Sequence, residues 1–162
     1  MLEKTVQIQM SPKIKLIGKR LAMTFADNKT RELWQSFIPR RNEVANAIST
    51  NFVSMQIYPA GFFSQFDLNV SFEKWAAKEV TEVASIPEGM ESFIIPSGLY
   101  AVFHYKGAPA AAGPDFQYIH REWLPKSEYL LDDRPHFEIL TDKYKNDDPD
   151  SEEDIWIPIK PR

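Results

Sequence analysis

One order of elements, written twice, constrains this chain more than any other feature. Turns rich in Pro and Gly cut the sequence into short periodic segments. TVQIQM (5–10) alternates and reads as a strand closed by Ser11-Pro12. KIKLIGKRLAMTF (13–25) reads as a longer strand, with Gly18 at a bulge or bend. Asp27 or Asn28 can cap a helix through TRELWQSFI, where Thr30, Leu33, Trp34, Phe37 and Ile38 share a face and Pro39 ends the run. FVSMQIYP (52–59) is a strand, AGFFSQFD a loop, and VSFEKWAAKEVTEV (70–83) a strand with helix as its rival. After the SIPEGM turn the order recurs. ESFIIP (91–96) and SGLYAVFHYKG (97–107) are strands, and PDFQYIHREWL (114–124) is a helix with Pro114 at its first position and Pro125 as its stop. LLDDRP turns into the strand HFEIL (136–140), an acidic loop follows, and IWIPIKPR (155–162) closes the chain.

Strand, strand, helix, strand, strand thus occurs in half-repeats of about 1–83 and 84–162, within one domain spanning 1–162. Two such units side by side predict an α+β architecture with a cleft where they meet. In that register SMQIYP (54–59) sits where HFEILT (136–141) sits, so Gln56 occupies the place of Glu138. One half presents an amide where the other presents a carboxylate.

Composition narrows the function classes. A formal charge of −4 argues against gripping a phosphate backbone through the bulk field. The absence of Cys excludes disulfides and thiolate chemistry. MLEKTVQIQM has no apolar core of a secretory signal, and no apolar run approaches the roughly 20 residues of a membrane span. A cytoplasmic globular protein is expected.

Glu138, between Phe137 and Ile139, is the residue that asks for an explanation. Alternation leaves its face open. Facing water it is ordinary; facing inward, a desolvated carboxylate is costly unless it meets a cation or moves a proton. Trp156 alternates against Ile155, Ile157 and Ile159, so it takes the side opposite an aliphatic face suited to the core, which leaves it for the cleft. Trp75, Phe103, Tyr118 and Trp123 are further candidate walls, each with an alternative as core. His136 shares a face with Glu138 and reads as a strand-edge residue. The acidic loop 147–154 lacks calcium-loop spacing and reads as solvated. No HExxH, GxGxxG, phosphate-binding loop or GxSxG is present. Neither metal nor cofactor is expected.

IPEGMESFIIPSGLYAVFHYKG, YIHREWLPKSEYLLDDRPHFEIL and PDSEEDIWIPIK, with LWQSFIPR and KWAAKEV in the first half, resemble the GyrI-like small-molecule-binding family, also called the AraC-type effector-binding domain. The resemblance implies two pseudo-symmetric β-β-α-β-β halves forming antiparallel sheet with two main helices and an aromatic cleft between them. It also implies that Glu138, on the penultimate strand, lies in that cleft. Such families include bacterial multidrug-responsive regulators, stand-alone drug-binding proteins, gyrase-protecting proteins and hydrolases of strained cyclopropanone-type rings. The implied function is capture of hydrophobic, often cationic, small molecules by Glu138, Trp156, Trp75, Phe103 and Tyr118, in transcription regulation or drug sequestration. The alternatives are a hydrolase with Glu138 as catalytic base and a gyrase-protecting inhibitor. Implied partners are a small molecule and a partner regulator or gyrase, with no membrane. With no room before residue 13 for a helix-turn-helix, direct nucleic-acid binding is not expected.

Overall fold

The computed structural model describes every residue but Lys4. Among the described residues nine strands form an antiparallel sheet: β1 Gln7–Ser11, β2 Ile14–Met23, β3 Phe52–Ile57, β4 Phe72–Glu79, β5 Glu91–Ile95, β6 Gly98–Lys106, β7 Tyr129–Leu131, β8 His136–Leu140 and β9 Glu152–Pro161. Their order is β1-β6-β9-β8-β3-β4-β2-β5, with β7 paired to β9. A two-fold placed at the Met55–Phe137 pair of the β3–β8 ladder carries β1-β6-β9-β8 onto β5-β2-β4-β3 and Gln56 onto Glu138. The neighbours of that central pair, Trp75 and Trp156, are interchanged by the same operation. The fold is therefore α+β with two pseudo-symmetric halves. Each half lends its first strand to the other, since β1 pairs with β6 and β5 with β2.

Both helices lie on one face of the sheet. Helix α1, Thr30–Phe37, buries Leu33 and Phe37 against Ile17, Phe72 and Ala76. Full burial of such side chains is worth about 1.5–3 kcal/mol each. The Asn28 side chain accepts the Thr30 N–H at 2.9 Å, and beyond Phe37 the chain tightens into a 3-10 turn, Ile38–Glu43, rather than stopping at Pro39. Helix α2, Gly113–Tyr118, continues through a π-helical turn, Ile119–Trp123, and a last α-helical turn, Leu124–Lys126. Ile119 and Leu124 pack on Phe103, Ile155, Ile157 and Ile159. The opposite face holds Val53, Met55, Trp75, Phe137 and Tyr100. Leu16 and Tyr100 sit near opposite ends of the strand order yet share that cluster, so the sheet curls with this face inward.

Several sequence expectations change. Gly18 is no bulge: its ladders with β4 and β5 run in step on both sides. A Cβ there would collide with the Ala76 carbonyl and Ala77 Cα, so the glycine permits close strand approach. Residues 70–83 contain a strand, since cross-strand pairing on both edges outweighs the helical alternative. LLDDRP is not wholly turn, because Leu131 belongs to β7, and β9 begins at Glu152, inside the stretch expected to be a solvated loop. No helix of the described residues is long and apolar enough to cross a membrane.

Candidate functional site

Between the two helices, on the helix-bearing face, lies a cavity of about 510 Å³. Its floor comes from the centre of the sheet: Gln56 of β3, Lys74 of β4, and His136 and Glu138 of β8. Period-2 alternation points all four to the same side, as the pairings Gln56↔His136 and Gln56↔Lys74 require. Its walls are aromatic. The connection from Tyr58 to Ser71 supplies Tyr58, Phe63 and Phe66; Phe25 precedes α1, Phe72 opens β4, and Phe116 and His120 come from the second helical segment. Tyr58 packs within 4.8 to 5.1 Å, ring centre to ring centre, of Phe62, Phe63, Phe72 and His136. Phe63 stacks flat on His120, 4.0 Å between centres and 7° between planes. His120 sits in the π turn, where the extra residue re-aims a side chain relative to an α-helix.

The floor is electrostatically unusual. Glu138 Oε2 is sealed from solvent and has no hydrogen-bond partner among the described residues. Burial pushes the carboxyl pKa up, opposed by the Lys74 ammonium and the Gln56 amide. Lys74 is held below its ordinary value by burial, against the pull of Glu138 and Glu153. Glu153 on β9 is pushed up to about 8 by burial and by Glu138. Burial also raises Tyr58 far above its ordinary value, with Glu138 adding to the shift. His120 is lowered to about 4 and His136 well below its ordinary value, both chiefly by burial, so both rings are neutral at neutral pH. Ring faces, neutral imidazoles and a partnerless carboxylate oxygen together form a setting that favours organic cations and dipoles.

The structure brings only part of the expected set together. Glu138 lines the cavity. Trp156 borders it, yet its indole stacks on Phe137, 5.1 Å between centres and 16° between planes, in the cluster on the far face. Its alternation against the isoleucines holds; the cavity simply lies on the isoleucine side. Trp75 is 3% exposed on that far face, beside Phe93. Phe103 is core under the second helical segment, edge-on to Trp123. Tyr118 is exposed and lines a separate shallow recess with Glu122 and Lys126. His136 is no edge residue: it is 5% exposed, because β8 is central in the sheet. Lys74, Tyr58, Phe63, His120 and Glu153 were not singled out by sequence. FF in a loop was the available signal for Phe63, and the shared face of Gln56 and Glu138 was the signal for Lys74.

An α+β sheet of two related halves, with a ring-walled hollow between its helices, defines a class of ligand-binding domains. The chain belongs to the GyrI-like family: the model of the GyrI-like small molecule binding domain matches residues 4–160. It is similar to the transcriptional regulator BrlR of Pseudomonas aeruginosa, 30% identical over 149 residues, which are 91% of this chain and 53% of BrlR. The chain thus spans about half the length of that relative. Among solved structures it resembles SAV2435 bound to tetraphenylphosphonium, with TM-score 0.72, 18% identity, and 96% and 94% of the two chains covered. It also resembles EcmrR in a complex with DNA, with TM-score 0.73, 13% identity, 98% of this chain and 58% of EcmrR. A hydrolase encoded by lin2189 from Listeria innocua shares the fold at TM-score 0.61 and 10% identity, over 98% of this chain and 93% of the other.

Proposed function

We propose that this protein captures hydrophobic small molecules, organic cations among them, in the cavity above Glu138, as a cytoplasmic effector-binding module in transcription regulation or drug sequestration. The observation that carries this is the Glu138 Oε2, sealed from water and without a hydrogen-bond partner among the described residues, in a hollow walled by rings. An unpaired buried acceptor costs about 1–3 kcal/mol, a cost that a ligand donor or cation recovers on binding. The aromatic walls add area and ring faces for the same ligand. On this reading the whole chain, 1–162, works as one unit whose two halves each supply part of the site.

The test is titration calorimetry with tetraphenylphosphonium, the molecule bound by SAV2435. Charge-assisted contacts are worth about 1.5–3 kcal/mol, so Glu138→Gln is expected to weaken binding about tenfold or more. Phe63→Ala is expected to weaken it too, through lost wall area. Equal affinity for wild type and Glu138→Gln, with both folded, would sink the assignment.

A further inference from the structure

A second charge stands in the same cavity. Lys74 projects from β4 beside Gln56, and Gln56 stands beside His136; Glu138 lies two residues further along β8 on the same face. Strand spacing and rise put the Lys74 and Glu138 Cα atoms roughly 12 Å apart, diagonally across Gln56. Ion pairs elsewhere on the molecule close, as in Arg20–Glu73 at 2.9 Å and Arg134–Asp132 at 2.7 Å. Here they do not: among the described residues no carboxylate oxygen lies within 4.0 Å of the Lys74 ammonium. Yet each group shifts the proton affinity of the other, so their fields overlap across the hollow.

A buried carboxylate by itself calls for a cation. A carboxylate and an ammonium that line one hollow without closing an ion pair call for both signs on one ligand. We infer that the cavity selects compact zwitterions, which set a cationic nitrogen against Glu138 and an anionic oxygen against Lys74, with an apolar body among Tyr58, Phe63 and Phe72. Lys74 is then the specificity-determining residue. A ligand with a positive charge alone meets Glu138 but stands near a like charge in a poorly screened space, whereas a zwitterion satisfies both groups and brings no net charge inside. The other charged groups nearby do not duplicate this role. Arg121 is solvent-exposed at the cavity's edge, and Glu153 keeps its proton to about pH 8.

The inference rests on the binding role of Glu138 proposed above, and matched probes separate the two. N,N,N-trimethylphenylalanine carries a permanent cation and a carboxylate; its methyl ester keeps the cation alone. Calorimetry at pH 7 and low salt compares both on wild type, Lys74→Met, Lys74→Arg and Glu138→Gln. Wild type is expected to prefer the betaine by about tenfold or more. Lys74→Met is expected to lose that preference and bind the ester more tightly; Lys74→Arg is expected to retain it. Glu138→Gln is expected to weaken both probes. If wild type binds both alike and Lys74→Met leaves their ratio unchanged while Glu138→Gln still weakens them, the inference fails and the Glu138 assignment stands. If Glu138→Gln binds both as wild type does, both fall. Binding of neither probe by folded wild type at millimolar concentration also overturns the inference.

Discussion

Glu153 and His120 carry opposite pH signatures. The folded chain keeps the Glu153 proton to about pH 8, whereas the free side chain releases it near 4.5. The folded state therefore binds more protons through that interval, and this contribution to stability falls as pH rises. His120 stays neutral down to about 4, whereas the free ring protonates near 6.5, so its contribution rises with pH over that range. The two slopes oppose each other on the acid side; between about 6.5 and 8 the Glu153 slope remains. Thermal melts followed by circular dichroism are expected to show a declining melting temperature from pH 6.5 to 8. Glu153→Gln should flatten that decline, and His120→Gln should leave the Glu153 slope unopposed below pH 6.5, so that the decline begins at lower pH. Sequence left Glu153 invisible because a run of acids looks solvated until a neighbouring strand claims it. Glu138 was legible as a question, and its family resemblance supplied the expected side.

At the level of elements, most strands were readable and their environments were not. Alternation says which residues share a side, as with Trp156 against Ile155 and Ile157, but says nothing of which side the helices cover. That is why Trp75 and Phe103, plausible as walls, lie in the core. The π turn at Ile119–Trp123 escaped because a 3.6-residue period has no place for an added residue. Gly18 shows the opposite limit: its need is set by a strand 58 positions away, at Ala76. Gly18→Ala is expected to cost about 2 kcal/mol or more, as overpacking does, because the obstruction is backbone and cannot rotate aside. Urea unfolding measures this; a midpoint equal to wild type would refute the close approach.

Over the whole molecule, the decisive property is the exchange of outer strands. Local patterns reveal a repeated order, yet pairing partners are set by the tertiary arrangement, so the swap of β1 and β5 could not be read from either half. It makes each half incomplete, since β2 without β5, or β6 without β1, exposes a long unpaired edge. Fragments 1–83 and 84–162, produced separately, are expected to lack fixed structure alone and to gain it when mixed. Amide spectra and far-ultraviolet circular dichroism of each fragment and of the mixture check this. A fragment that folds alone to native-like dispersion would contradict it.

The connection from Tyr58 to Ser71 has a last consequence. Its backbone is held by short local turns and, among the described residues, by a single loop bond to the rest of the chain, Ala26 N–H to the Leu68 carbonyl, while its rings rest on other rings. Gln56, Lys74 and Glu138 instead belong to continuous ladders, where shifting one residue shears several hydrogen bonds at once. On the proposed binding role, guests of unlike outline are accommodated overhead, while the electrical pattern underneath stays constant.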